Sequence, residues 1–179
     1  MIDLSLDIET MGSEPGSAVV GIGACFFDTQ TSAIGDSFYV AINLATAVRA
    51  GLKMDASTVM WWMGQTDAAR NAIRFNTYDI GVALDMFSAF TSTRCQPNDM
   101  RVWARGPSFD CTILTAAYRA TGRDTPWRYW NERCHRTLTA RNPSIEEPTR
   151  EGELHNAKDD AIHQARWLIK IAEAHRARG

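Results

Sequence analysis

The chain has 179 residues, enough for one ordinary globular domain and too few for two, so we expect a single domain over residues 1–179. Hydrophobic residues make up 45% and charged residues 22%, which excludes disordered, collagen-like and coiled-coil chains. A net charge of −2 argues against a protein whose whole surface binds nucleic acid. No apolar run reaches the ~20 residues of a membrane span, and the first residues lack a signal segment, so we expect a cytoplasmic protein with no membrane partner.

The first part of the chain is predicted to form strands. Residues 2–8 alternate apolar and polar side chains, the period typical of a strand, which places Asp7 and Glu9 on one face. A glycine-spaced, β-branched segment at 18–27 and a second apolar segment at 34–42 are separated by a polar turn. These patterns predict an antiparallel hairpin beside the first strand.

The rest of the chain is predicted to alternate helices and strands. The predicted elements are helices at 57–65, 67–75 and 80–90, a strand at 100–104, a helix from Phe109 to Gly122, a loop at 142–152 and an amphipathic helix from Ala157 to Ala172. We find no internal repeat and no linker. The sequence therefore predicts an α/β fold, a mixed central sheet with an antiparallel hairpin at its N-terminal strands, flanked by helices.

Four carboxylates and a histidine form a candidate metal site. Asp7 and Glu9 share a strand face, Asp110 and Asp160 lie on predicted helices, and His155 precedes the second of these. Neighbouring carboxylates repel unless a cation lies between them, and hard oxygen ligands favour Mg²⁺ or Mn²⁺. Two ions ~4 Å apart could promote attack of water on a phosphodiester. Taken singly, each feature has a plainer explanation, such as an exposed polar strand face or a capping histidine.

Three sequence blocks carry a family resemblance. The blocks are Asp7-Ile8-Glu9-Thr10, Ser108-Phe109-Asp110 and His155-Asn156-Ala157-Lys158-Asp159-Asp160. In order, separation and the H-x-A-x-x-D spacing, they resemble the three exonuclease motifs of the DEDDh branch of the RNase H-like superfamily. Shorter matches, such as Trp61-Trp62-Met63-Gly64-Gln65 and Arg136-Thr137-Leu138, are similar to compact bacterial and phage exonucleases of the exonuclease VIII-like or exoribonuclease-like subgroup.

The resemblance implies an RNase H-like fold and a 3′–5′ exonuclease that releases nucleoside 5′-monophosphates from the 3′ end of single-stranded RNA or DNA. It implies that Asp7, Glu9 and Asp160 hold one ion and that Asp7 bridges to a second. Asp110 would complete the cluster directly or through water, and His155 would be the general base. Two Mg²⁺ or Mn²⁺ ions per site are implied. Since relatives often dimerise, a homodimer is expected by resemblance alone.

Two positions of the motifs leave alternatives open. Asp159 competes with Asp160 as the third-motif ligand, and the spacing from the histidine favours Asp160. Many relatives carry an asparagine four residues before the second-motif aspartate, where this chain has Gly106. The corresponding contact to the terminal nucleotide is therefore either missing or supplied by Arg105 or Ser108.

Further substrate contacts are expected after the first motif and on the first predicted helix. In similar enzymes the residues after the first motif meet the terminal base and ribose, so Thr10, Met11 and Gly12 are candidates. Met11 is either an apolar wedge or a core-filling side chain. Trp61 and Trp62 are adjacent on a helix and point ~100° apart, so one can be buried while the other stacks on a base.

The sequence is also compatible with functions other than an exonuclease. The fold alone also suits a non-catalytic nucleic-acid-binding or subunit-docking module, or an interaction domain with coincidental matches. Carboxylates without a metal would repel the phosphates that such a binding module must hold. The stretch 101–141 carries eight arginines and three acidic residues, which suits either phosphate binding or a solvated face. The G-x-G formed by Gly21 and Gly23 is too weak to indicate a nucleotide-binding loop.

Overall fold

A computed structural model describes residues 1–178. It contains one mixed sheet whose strands are β1 (Ile2–Thr10), β2 (Val19–Asp28), β3 (Ala33–Ile42), β4 (Thr77–Tyr78), β5 (Met100–Ala104) and β6 (Glu132–Cys134). Across the sheet the order is β4-β3-β2-β1-β5-β6. The first three strands pair antiparallel, while β5 pairs parallel with both β1 and β6, and β4 pairs parallel with β3. The predicted mixed sheet with an N-terminal hairpin is therefore confirmed.

Seven α-helices accompany the sheet in the described part of the chain. They are α1 (Leu44–Arg49), α2 (Ala56–Met63), α3 (Asp67–Arg74), α4 (Ile80–Ser92), α5 (Asp110–Ala120), α6 (His135–Ala140) and α7 (Ala157–Arg176). Asparagine or aspartate side chains accept hydrogen bonds from backbone amides at the start of several of them, as Asn156 does for α7. Among residues 1–178, no helix combines the length and the apolar character needed to cross a membrane.

The sequence missed the shortest elements. Strands β4 and β6 have two and three residues, and helices α1 and α6 have six each. Segments of this length do not complete enough periods of an apolar pattern to be recognised. Pairing with a longer neighbouring strand stabilises β4 and β6 instead.

Helices cover both faces of the sheet, so the two faces of β1 have different surroundings. Leu4 and Leu6 are fully buried in the larger apolar core together with residues of α4 and α5. On the opposite face lies α7, where Ala165, Leu168 and Ile169 pack in a second cluster with residues of β2. The polar residues of β1 therefore face α7, the helix that carries the third motif.

Gly23 on β2 allows α7 to approach the sheet closely. Gly23 pairs with Asp7 in the β1–β2 ladder, and Gly21 pairs with Glu9. A Cβ atom on Gly23 would overlap the backbone of Ala157 at the start of α7. The G-x-G pattern thus serves close packing beside the two carboxylates, which is a common use of glycine within a strand.

Candidate active site

A cleft of about 480 Å³ opens at the carboxyl ends of β1 and β5. These strands run parallel, so both end on the same side of the sheet, and α5 follows β5 directly. The first turn of α7 completes the wall. The topology therefore brings the three motif blocks, which are distant in sequence, to a single place.

The four motif carboxylates line this cleft together. Asp7 and Glu9 come from β1, Asp110 from the first turn of α5 and Asp160 from the first turn of α7. One donor atom each from Glu9, His155 and Asp160 lies within 4.8 Å of the others. The cluster is largely enclosed, since Glu9, Asp110 and Asp160 keep less than a tenth of their surface exposed.

Burial and neighbouring charges raise the pKa of the two acidic groups on β1, and burial raises that of Asp110. Burial, and then the charges of Asp110, Glu9 and Asp160, raise the pKa of Asp7 well above its ordinary value. Burial and the neighbouring carboxylates raise the pKa of Glu9 to about 8. Burial raises the pKa of Asp110 to about 7, against the opposing effect of backbone hydrogen bonds and the Arg136 charge. A bound cation would relieve this repulsion.

The donor set fits a divalent ion. Carboxylate oxygens from three elements converge, and one imidazole nitrogen lies beside them. Oxygen-rich sites of this kind suit Mg²⁺ or Mn²⁺, because these hard cations prefer carboxylate and water ligands. Burial is the largest cause of the raised pKa values of Asp7 and Glu9, and a bound cation would favour their charged forms.

His155 lies in the loop directly before α7. Its backbone is left-handed, with φ of 60°, and its N–H donates to Asp160 Oδ2 at 3.0 Å. The imidazole and the Trp61 ring pack in a T-shaped arrangement, with a centroid distance of 4.9 Å and an interplanar angle of 81°. The backbone bond and the aromatic contact hold the histidine at the mouth of the cleft.

Asp159 and Asp160, the two candidates for the third-motif ligand, have different surroundings. Asp160 lines the cleft, whereas Asp159 Oδ2 accepts a hydrogen bond from the Glu153 N–H at 2.9 Å. Asp159 thus fixes the loop before α7. The geometry favours Asp160 as the carboxylate that acts in the cleft.

The two adjacent tryptophans differ in their exposure. Trp62 is 4% exposed and donates its indole N–H to the Thr10 carbonyl at 2.9 Å. Trp61 is 45% exposed and lines the cleft. Both border the cleft, but only Trp61 has a ring surface free to stack on a base.

Met11 lies in the core and not in the cleft, contrary to its prediction as a substrate contact. Met11 is 7% exposed and belongs to the larger apolar core, and it does not line the cleft. Its side chain follows Thr10 onto the opposite face of the chain, as alternation along an extended segment requires. The core-filling interpretation therefore replaces the apolar wedge.

The remaining predicted contacts lie in the cleft. Thr10, Gly12, Arg105 and Ser108 all line it. The Thr10 hydroxyl donates to the Gly12 carbonyl at 2.7 Å, which fixes the turn after β1. Arg105 and Ser108 are exposed and available to a ligand.

Several residues that line the cleft were not predicted as site residues from the sequence, among them Gln164, Arg150 and Arg136. Gln164 donates from Nε2 to Asp7 Oδ1 at 2.8 Å, and Arg150 forms an ion pair with Asp160 at 2.7 Å. Arg136 lines the cleft near Gly106. For Gln164 the available signal was helical spacing, since it lies one turn after Asp160 on α7.

The fold thus brings four carboxylates and a histidine together at the carboxyl ends of its central strands. The chain belongs to the family described as the 3′–5′ exoribonuclease Rv2179c-like domain, which matches residues 2–172. The family resemblance inferred from the motifs is thereby confirmed.

Individual relatives agree with this family. The chain is 28% identical to an exodeoxyribonuclease of Enterobacteria phage T4 over 161 residues, which cover 76% of this chain and 70% of the phage protein. Its fold is similar to the nuclease domain of 3′hExo, a DEDDh family member bound to rAMP, with a TM-score of 0.64 and 9% identity over 97% of this chain and 92% of that one. It is also similar to E. coli exonuclease I in complex with a dT13 oligonucleotide, with a TM-score of 0.69 and 13% identity over 99% of this chain and 42% of that one.

Proposed function

We propose that this chain is a metal-dependent 3′–5′ exonuclease that releases nucleoside 5′-monophosphates from the 3′ end of single-stranded nucleic acid. The observation that carries the proposal is the convergence of Asp7, Glu9, Asp110 and Asp160 with His155 in one cleft. Membership of an exoribonuclease-like family supports the reaction class.

The carboxylates have a binding role in this proposal. Asp7, Glu9, Asp110 and Asp160 would together hold two divalent ions, Mg²⁺ or Mn²⁺, with Asp7 as a ligand of both. When bound, such ions activate water and neutralise charge on the leaving oxygen. The chain's contribution is to keep four acidic groups in one enclosed space, which the packing of α7 against Gly23 makes possible.

His155 accepts the proton of the attacking water in this proposal. An imidazole can take up a proton in this role and release it to solvent afterwards. The support is its position: one ring nitrogen lies within 4.8 Å of donor atoms of Glu9 and Asp160. Its partly exposed place at the mouth of the cleft gives it access to solvent.

The terminal nucleotide is held by the residues that surround the carboxylates. The exposed ring of Trp61 stacks on a base, and Thr10 and Gly12 border the ribose. Arg105 and Ser108 contact phosphate oxygens, since a guanidinium and a hydroxyl are both suitable donors. Together these contacts place the last phosphodiester beside the carboxylates.

The single experiment that tests this function is a digestion panel of single- and double-stranded RNA and DNA with Mg²⁺ or Mn²⁺, in which product lengths are read. Family membership favours RNA, whereas the phage relative is a deoxyribonuclease, so both sugars belong in the panel. We expect mononucleotide products, and we expect a blocked 3′ hydroxyl to slow digestion far more than a blocked 5′ end. Faster loss from the 5′ end would refute the polarity.

The metal requirement is tested on Asp7. Asp7→Asn removes the shared charge with little change of volume and should abolish Mg²⁺-dependent release while the protein stays folded. Asp124→Asn, an exposed aspartate outside the cleft, is the matched control and should behave like the wild type. Equal turnover by the two variants would contradict the metal-dependent mechanism.

A further inference from the structure

Arg150 contacts the carboxylate that the third motif contributes. Its Nη1 lies 2.7 Å from Asp160 Oδ1, and the other oxygen of Asp160 accepts the His155 N–H at 3.0 Å. The side chains of Arg150 and Asp160 keep only 28% and 12% of their surface exposed. Both oxygens of Asp160 are therefore engaged by the chain itself.

The loop that carries Arg150 is fastened to α7 on both sides of this arginine. The fastening contacts are Glu147 Oε1 with His163 Nε2 at 2.6 Å, Glu151 Oε2 with Arg166 Nη1 at 2.6 Å, and the Glu153 N–H with Asp159 Oδ2 at 2.9 Å. Because the loop is held at three points, its conformation places the guanidinium over the carboxylates.

Arg150 is also distinguished among the cations of the cleft. Arg105 and Arg136 line the same space, yet within residues 1–178 Arg150 alone of the lysines and arginines forms an ion pair with any of the four motif carboxylates. It thus supplies positive charge at Asp160 Oδ1, an oxygen that a metal ion would need.

We propose that Arg150 competes with the metal ion for Asp160 and moves to the substrate phosphate when the ion binds. This inference rests on the proposed function of the same site. A guanidinium and a divalent ion at one carboxylate oxygen repel each other, so each weakens binding of the other. The displaced guanidinium remains in the cleft, where its planar fork suits a phosphate.

The exchange couples two binding events. An incoming phosphate draws Arg150 away from Asp160 and thereby favours the ion, and by linkage the ion favours the phosphate to the same extent. The full metal complement then assembles most readily with the substrate present. Arg150 acts here as a positioning residue for the metal and as a substrate contact.

The test measures Mn²⁺ binding to the full chain by titration calorimetry, with and without AMP as the phosphate ligand. Arg150→Gln should bind Mn²⁺ alone about three- to tenfold more tightly than the wild type, a gain of the size expected for a lost, partly exposed ion pair. The tightening of Mn²⁺ binding by AMP should be smaller in Arg150→Gln than in the wild type. Arg150→Lys, which keeps the charge but not the fork, should lie between the two proteins in both measurements.

Two matched variants serve as controls. Arg105→Gln removes the same charge from the cleft without breaking an ion pair to a carboxylate, and Arg166→Gln loosens the same loop at Glu151. We expect Mn²⁺ affinity within about twofold of the wild type for both, because neither arginine forms an ion pair with a carboxylate of the cleft.

The outcomes separate this inference from the proposed function. Wild-type Mn²⁺ binding with unchanged or weaker affinity in Arg150→Gln would overturn the competition and leave the exonuclease proposal intact. Equal tightening in Arg105→Gln would also overturn it, since a general charge effect would then suffice. A wild-type chain that binds no Mn²⁺ and a fully active Asp7→Asn variant would instead remove the metal-dependent function, and this inference with it.

Discussion

Gln164 donates a hydrogen bond from Nε2 to Asp7 Oδ1 over 2.8 Å and so joins the last helix to the first strand. Gln164 is 3% exposed, so water does not compete for this bond. The bond lowers the pKa of Asp7, although burial and the neighbouring carboxylates outweigh it. An amide at this place fixes which oxygen of Asp7 remains available to the cleft.

Replacing this amide should impair activity more than stability. Gln164→Leu keeps the approximate volume and loses the donor, and we expect kcat to fall about 10- to 100-fold, as for other residues that orient metal ligands. Mn²⁺ affinity should fall with it, while KM changes little. Asn131→Leu removes another buried amide, one that donates to the Asn98 carbonyl away from the cleft, and should leave Mn²⁺ affinity unchanged. A Gln164→Leu enzyme with wild-type kcat would contradict the orienting role.

The two tryptophans should differ in the kind of defect that they cause. Trp61→Ala removes an exposed ring from the cleft and should weaken single-strand binding by ~1–3 kcal/mol with little loss of stability. Trp62→Ala empties a buried site and breaks the bond to the Thr10 carbonyl, so it should lower the free energy of unfolding by ~3–5 kcal/mol. Binding titrations and urea unfolding measure the two effects, and the opposite pattern would reverse the assignment.

The acidic cluster should make the metal-free protein less stable as pH rises. The folded pKa values of Glu9, about 8, and Asp110, about 7, exceed their ordinary values. At pH values between the ordinary and the folded pKa, the folded state therefore holds more protons than the unfolded state. Their stabilising effect is complete at acid pH and is lost as pH passes through 7 to 8. His135, whose pKa burial lowers to about 4, acts in the opposite direction, but only below its unfolded pKa of 6.5.

Melting temperatures in EDTA are measured between pH 6.5 and 8, where the carboxylates change protonation and the opposing effect of His135 is absent. We expect the melting temperature to fall across this range, and Glu9→Gln should reduce the slope. Glu14→Gln, an exposed glutamate on the following turn, should keep the wild-type slope. Added Mg²⁺ should raise and flatten the curve, because the ion neutralises the charges that appear. A melting temperature that rises with pH in EDTA would contradict the raised pKa values.

Close packing at Gly23 gives a further prediction. In Gly23→Ala the new methyl group would overlap the backbone of Ala157 and Lys158, so the start of α7 must shift and carry Asp160 with it. We expect a loss of at least ~2 kcal/mol in stability and a weaker metal site. Gly35→Ala is the matched control, since its Cβ would meet its nearest atom at 3.4 Å. Urea unfolding and Mn²⁺ titration compare the two, and equal behaviour would show that α7 tolerates the displacement.

Much of the fold could be predicted from the sequence because its central elements have complete periodic patterns. Strand β1 alternates over its whole length, and α7 shows a sustained apolar stripe. The hairpin followed from the turn residues between β2 and β3. The order of strands across the sheet could not be read in the same way, because it depends on pairings between segments that are distant in the chain.

The candidate site was predictable only where chemistry and spacing coincide. Asp7, Glu9 and Asp160 lie in short blocks of fixed spacing, so their convergence could be expected. Gln164 and Arg150 have no such spacing, and their contacts arise from how α7 and its preceding loop pack. The choice between Trp61 and Trp62 likewise depended on which ring the core accommodates.

The carboxylates of the cleft come from opposite ends of the chain, since Asp7 lies in the first strand and Asp160 in the last helix. During synthesis on the ribosome, the carboxylate cluster therefore cannot be complete until α7 has left the exit tunnel. Prematurely terminated products that stop before α7 would lack Asp160. Under the proposed function, such fragments would lack one of the four carboxylates that hold the metal ions.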